Sequence, residues 1–396
     1  MRYLIVCGVV FTLVISVAAA AEVDSVAAWE KGVRTRAVLG DAECHSIHTY
    51  FNTCPESPDG RWVLLYRSTA PQGHGGQVCI VERETGKVRV LADGVVTEDA
   101  HRAACQQWVQ DGRTVVFHDL RDGRWVVAAV DVATGDERVI ARDRQLSWGQ
   151  PHSDVVPVYG PHWDPKASRD LELVNVATGE ARTVLTAAEV RDEYADWMQR
   201  TFGDRPVSIF FPILSPDQKR VLLKLAAPAG GDFRSKQASD RYGLVAYDLA
   251  EKRFLYMSPR WGHPAWHPSS RQIVNTANRG VSLVDLATGR AKRNLDLPPY
   301  PGSHPSSSPS GTLFVTDIRF PGDVSQQARE LWGVAVGNHA TGEHTFVDRF
   351  ENGEGATSWR RSHPHPVFSH DGRRIYYNVS AGPWTRLYVA ECGVHQ

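Results

Sequence analysis

The sequence predicts an all-β protein, a seven-bladed β-propeller whose last blade is closed by an N-terminal strand. Three observations predict it. A phrase of turn plus β-rich run recurs seven times along the chain, and repeats of about 40–50 residues with about four strands each build propeller blades. Helix-forming stretches are scarce. One β-like segment ahead of the first phrase, Arg34-Thr35-Arg36-Ala37-Val38-Leu39, has no repeat of its own.

The first phrase is Ser57-Pro58-Asp59-Gly60 followed by Trp62 to Tyr66, then Val78 to Val81 and Glu84-Thr85-Gly86. The second joins Gln110-Asp111-Gly112 to Val130-Asp131-Val132-Ala133-Thr134-Gly135. The third joins Trp163-Asp164-Pro165 to Val174 through Gly179, and the fourth joins Ser215-Pro216-Asp217 to Tyr247-Asp248-Leu249. The fifth runs from His267-Pro268-Ser269 to Thr288-Gly289, the sixth from Ser308-Pro309-Ser310-Gly311 to Thr341-Gly342. Ser369-His370-Asp371-Gly372 and Leu387-Tyr388-Val389 make the seventh. Asp-Gly and Thr-Gly supply the positive-φ positions of tight hairpins, and the runs between them are rich in Val, Leu, Tyr and Trp. A ring left open exposes strand edges, so Arg34–Leu39 is assigned as the outer strand of the seventh blade. Residues from Thr186 to Thr201 read as a short helical insertion between blades three and four.

Residues 1–21 read as a secretory leader: Arg2, an apolar run from Leu4 to Val17, and Ala19-Ala20-Ala21 before Glu22. The propeller then occupies 22–396, and the mature protein is expected to be periplasmic or secreted, monomeric, and without a membrane span. The net charge is −1, or −2 once Arg2 is removed, which offers no basic field for nucleic acid. An anionic ligand would have to be met locally by a few Arg, His or metal groups. Five cysteines remain beyond Cys7, and the spacing of Cys44 and Cys54 would allow a bridge in an oxidising compartment.

The chemistry lies in the histidines. His101, His152, His263, His304 and the pair His363/His365 are each placed just before the opening strand of a repeat. The innermost strands of a propeller line its channel, so these side chains are expected to form one ring at the channel mouth. His363 and His365 are two apart and, in a strand, share a face. One further imidazole would complete a three-histidine metal site with open positions. His118, His339, His344 and His370 read as solvated residues of turns or outer strands.

Ser362-His363-Pro364-His365-Pro366 with Phe368, Gly302-Ser303-His304 with Ser310 to Leu313, and Tyr50-Phe51-Asn52 resemble the corresponding phrases of the oligogalacturonate lyases. The resemblance implies a seven-bladed propeller that cleaves uronate glycosides by β-elimination. It implies a divalent ion, Mn²⁺ or Ca²⁺, on His363 and His365 with His263 as the third imidazole. The resemblance puts a glutamine where this chain has Arg360, and a guanidinium cannot ligate a cation. The ion is then held by three protein ligands and water, or Arg360 replaces its charge. The position of the family's base falls near Phe211-Pro212, while Gly262-His263-Pro264 resembles the base motif itself. His263 is therefore ligand or base, and with His263 as ligand the base is His101 or His152. A relative acting on another uronate, such as the lyases that release rhamnose from glucuronate, fits these departures.

In the chemistry so implied, Arg102, Arg234 and Arg360 are the candidate carboxylate clamps, His304 faces the substrate, and Tyr50 or water protonates the leaving oxygen. A second reading is a non-catalytic binding propeller of the TolB kind, which shares the Ser-Pro-Asp-Gly repeats but has no need of a histidine ring.

Overall fold

The computed structural model describes residues 24–276, 280–293, 303–320 and 330–393. The leader at 1–21 and Gly302 lie outside them. Seven sheets, each of four antiparallel strands, follow one another along the chain. Blade 1 is His45–Ile47, Trp62–Ser68, Gly75–Glu82 and Val88–Val96. The innermost strands of blades 2 to 6 are Gln107–Val109, Gln145–Leu146, Ser208–Leu214, Ala265–Trp266 and Ser306–Ser307. Blade 7 is Val367–Phe368, Arg374–Val379 and Arg386–Glu391, and its fourth strand is Arg34–Ala37. Arg34 pairs with Glu391 and Ala37 with Tyr388, so the first strand of the chain closes the ring.

The predicted turns do the work expected of them. Gly60, Gly86, Gly135, Gly179, Gly289, Gly342 and Gly372 all have positive φ, which an L side chain adopts only with strain. The helical insertion is two short helices, α1 (Ala187–Glu193) and α2 (Ala195–Phe202), between blades 3 and 4. Thr186 caps α1 by accepting from the Glu189 N–H while Glu189 returns to the Thr186 N–H, a reciprocal box that satisfies two otherwise orphaned donors. Cys44, Cys54, Cys79 and Cys105 are free thiols.

Blade 3 departs from the expected phase. Trp163-Asp164-Pro165 lies between Val155–Tyr159 and Leu171–Asn175, the second and third strands of its sheet. The turn at the end of its inner strand is instead Gln150-Pro151-His152-Ser153, which lacks the Asp-Gly signal. That inner strand spans two residues, Gln145–Leu146, too short for an alternation to be read. His118 and His339 are buried, not solvated; His118 sits inside the second strand of blade 2, Thr114–Arg121.

The channel has an apolar floor. Tyr50 and Phe51 leave the inner strand of blade 1 and pack against Trp148 and Phe211 within one buried cluster. Tyr50 stacks on Trp148 with ring centroids 5.1 Å apart. Aromatic contacts of this kind add to the area they bury, and they block the channel beneath the histidines.

Candidate active site

Four blades carry the same dipeptide position. Phe211-Pro212, His263-Pro264, His304-Pro305 and His365-Pro366 each stand four residues before the turn at Ser215, His267, Ser308 or Ser369. The residue before a proline is steered away from the right-handed helical region; Phe211 and His365 take positive φ, 59° and 48°, and the proline itself donates no ladder bond. In blades 5 and 6 the backbone N–H of the residue before it turns to a side chain of the second strand. The His263 N–H donates to Asn275 Oδ1 at 2.9 Å, and the His304 N–H to Asp317 Oδ1 at 2.9 Å. In blade 7 Asn378 accepts from the His48 N–H at 2.9 Å and donates to the His48 carbonyl at 2.8 Å. In blade 4 the second-strand residue paired with Phe210 is Lys224.

His101, His304, His363 and His365 converge, with one nitrogen of each within 4.8 Å of the others. His101, His304 and His365 are fully buried. His263 joins from blade 5, its ring 4.5 Å from that of His304. The tautomers of two rings are set by acceptors behind them. His304 Nδ1 donates to Asp317 Oδ2 at 2.7 Å, and His101 Nδ1 donates to the Arg361 carbonyl at 3.0 Å. Buried without a hydrogen-bond partner among the described residues are His101 Nε2, His363 Nδ1 and both ring nitrogens of His365. Orphaned buried donors and acceptors of this kind are uncommon in folded proteins, and here they surround one point. The residues therefore fit a divalent ion: neutral imidazoles with free lone pairs, one backed by a carboxylate.

Burial, and after it the charge of Arg360, lowers His304 to about 3. His363 falls to about 3, first through burial and then through His304. Burial first and Arg360 second hold His101 well below the usual range; burial and His304 do the same for His263. All these rings are therefore neutral at ordinary pH, the form that ligates or accepts a proton. Burial pushes Asp317 up to about 7.

Three cations complete the mouth. Lys224 lies 4.5 Å from the Trp261 ring and 5.2 Å from that of Phe210, and Arg241 lies 5.9 Å from the same Phe210 ring. Burial, then Arg241, pushes the Lys224 ammonium well below the usual lysine range. Arg360 is partly buried. None of the three has a carboxylate or hydrogen-bond partner among the described residues.

The other sequence-predicted site residues fall elsewhere. His152 is exposed in the blade 3 turn, its Nε2 3.0 Å from the Pro216 carbonyl, because it follows an inner strand and does not precede one. Arg102 is buried and committed: it donates to Glu98 at 2.7 Å and to the Tyr159 hydroxyl at 3.0 Å, with Asp99 at 3.8 Å. Burial alone would raise Glu98, but Arg102 and His162 hold its carboxyl below the usual range. Arg102 thus neutralises two acids and clamps nothing. Arg234 is partly buried, donates to the Thr97 carbonyl at 2.9 Å and lies 4.9 Å from the Phe233 ring. Tyr50 is buried under His365, ring centroids 4.5 Å apart, and burial raises its phenol to about 12.

Lys224, Arg241 and Asp317 were not anticipated from the sequence. A signal existed for two of them: Lys224 interrupts Val221-Leu222-Leu223 and Leu225, and Asp317 interrupts Leu313 to Ile318, each the one charge inside an otherwise apolar or small-residue run.

These features define a seven-bladed propeller with an imidazole cluster and unpaired cations at one channel mouth. Among solved structures, the chain is similar to an oligogalacturonate lyase in complex with manganese, at 17% identity and a TM-score of 0.61, over 89% of this chain and 92% of that one. It is likewise similar to an oligogalacturonate lyase from Vibrio parahaemolyticus, at 16% identity and a TM-score of 0.61 over the same shares. At such identity the likeness establishes the fold. No family model matches the sequence, and no curated protein matches it.

Proposed function

We propose that this protein is an exported lyase that cleaves a uronate-containing oligo- or polysaccharide by β-elimination. The observation that carries the reading is the meeting of neutral buried imidazoles with three unpaired basic side chains at one channel mouth. His304, His363 and His365 would hold a divalent ion, which when bound supplies a Lewis acid for the uronate carboxylate. Lys224, Arg241 and Arg360 neutralise the negative charge that develops as the C5 proton leaves. His263 is the remaining imidazole on the cation side, and neutral, so it is the base we assign. The C5–H electron pair forms the C4=C5 double bond, the C4–O bond breaks, and the leaving oxygen takes a proton from water. Tyr50, stacked beneath His365, forms the floor in this scheme, and the leader at 1–21 directs export.

A protein-docking propeller has no use for buried orphaned imidazoles, which weighs against the TolB-like alternative. The test is the ultraviolet absorbance of a 4,5-unsaturated uronate on incubation with a panel of uronate glycans, with and without EDTA. A rise on at least one glycan, lost in His263→Ala, is expected. No rise on any glycan, or a rise unaffected by His263→Ala, would remove the lyase or the base assignment respectively.

A further inference from the structure

His101 reaches the imidazole cluster from the loop between blades 1 and 2, far in sequence from its partners. Its ring centroid lies 4.4 Å from that of His365, 4.7 Å from His363 and 6.0 Å from His304. We infer that His101 is a fourth metal ligand, so that the ion is held by four imidazoles and is of the Zn²⁺ or Co²⁺ class in preference to Mn²⁺ or Ca²⁺. The inference rests on the metal-assisted reading above and adds to it the ligand count and the class of ion.

Three observations support it. The Arg361 carbonyl occupies His101 Nδ1, so the lone pair of this ring sits on Nε2, which is buried and without a hydrogen-bond partner among the described residues. A residue serving as base needs an open path to sugar. The rings nearest His101 are instead His363, His365, His304 and Tyr50, the last at 5.7 Å. Finally, no carboxylate joins the cluster among the described residues. Asp317 stands behind His304, where it also accepts from the His304 and His365 backbone N–H groups. Glu98 is held by Arg102 and Gln145.

An all-nitrogen donor set decides the ion. Imidazole suits Zn²⁺, Cu²⁺, Fe²⁺ and Ni²⁺, with Co²⁺ between the last two in affinity, whereas Mn²⁺ and Ca²⁺ are suited by carboxylate, carbonyl and water. A tetrahedral zinc site with Zn–N bonds of about 2.0–2.1 Å sets its donor atoms about 3.4 Å apart. The nitrogens here lie within 4.8 Å, so binding would draw the rings together. The charge of Arg360, which acts on all four rings of the cluster, disfavours any dication. Asp317 offsets that charge from behind His304, as carboxylate–histidine–metal triads do.

The experiment loads metal-free mature protein with Zn²⁺, Co²⁺ or Mn²⁺, measures affinity by competition with a chromophoric chelator, and counts imidazoles by zinc-edge X-ray absorption. The expected result is one Zn²⁺ with four imidazoles and an intense tetrahedral Co²⁺ visible spectrum, with Mn²⁺ bound more weakly. His101→Ala should leave three imidazoles and bind Zn²⁺ at least about tenfold more weakly. His101→Gln, which puts an amide oxygen in place of the ring, should narrow the preference for Zn²⁺ over Mn²⁺; thermal melts of both variants check folding. Three imidazoles in the wild type, or Mn²⁺ tighter than Zn²⁺, would overturn the inference and leave the metal-assisted reading standing. A protein that binds none of the three ions would overturn both, and the glycan assay would then decide separately whether it is a lyase.

Discussion

Replacing Lys224 with methionine should make the protein more stable and less active. The ammonium sits among aromatic rings with no carboxylate partner among the described residues, and its strongest like-charge neighbour is Arg241. The two lie 5.2 and 5.9 Å from one Phe210 ring, so they are no more than about 11 Å apart, and at an effective dielectric near 20 their repulsion is about 1.5 kcal/mol or more. Desolvation adds to that cost, while the lost cation–π contacts subtract about 0.5–2 kcal/mol. Methionine keeps the aliphatic length against Trp261. An apolar group of similar volume carries no such desolvation cost, and we expect a gain of about 1 kcal/mol here, read from urea unfolding at neutral pH. Activity on the glycan that serves as substrate should fall about 10²–10³-fold, the usual loss when one group opposing transition-state charge is removed. A Lys224→Met protein that is less stable than the wild type would show that the ammonium is paired after all. One that is more stable but equally active would remove Lys224 from the reaction.

Three further outcomes follow from the geometry. Asp317→Asn keeps the shape behind His304 but not the charge, and should weaken Zn²⁺ binding about 10–100-fold by chelator competition; unchanged affinity would mean that the carboxylate does not tune the ion. Burial lowers His118 to about 3, below its unfolded value near 6.5, so the unfolded chain binds the extra proton. Its stabilisation is complete above about pH 6.5 and declines by about 1.4 kcal/mol per pH unit as pH falls below that. His118→Phe should flatten the acid slope of unfolding free energy by one proton, and an unaltered slope would refute the assignment. Deleting residues through Ala37 removes the strand on Arg386–Glu391 and bares a sheet edge, so the truncated protein should aggregate on concentration, as seen by light scattering; a soluble, fully stable product would show that closure is dispensable.

The fold was legible because a propeller repeats its punctuation. Asp-Gly and Thr-Gly turns recur with a required backbone geometry, and an unrepeated segment such as Arg34–Leu39 then has one place to go. The helical insertion read at Thr186 to Thr201 is α1 and α2, and the structure adds the Thr186/Glu189 box that caps it. The error in blade 3 has the converse cause. Its inner strand is two residues long and its turn is Gln150-Pro151-His152-Ser153, so the next strand looked like the first and His152 seemed to enter the channel. His118 and Arg102 misled for a different reason: burial of a polar side chain depends on partners distant in sequence, such as Tyr159 for Arg102, which no local pattern displays.

The site was legible only where it shares the repeat. His263, His304 and His365 stand at one phase, each before a proline, and that periodicity pointed to a ring. What the ring does depends on the second-strand residues facing it: Lys224 in blade 4, Asn275 in blade 5, Asp317 in blade 6 and Asn378 in blade 7. Two are neutral carboxamides that tie down backbone. The other two are a cation and an acid, on opposite sides of His263, and they divide the mouth. On one side Phe211 replaces the imidazole, and Lys224 and Arg241 offer charge to an anion. On the other Asp317 fixes the tautomer of His304 and completes a cluster suited to a cation. A ligand carboxylate placed between them would meet positive charge from both sides, with His263 at the boundary. The repeat supplies a symmetric ring of positions, and the chemistry comes from breaking that symmetry at its second strands.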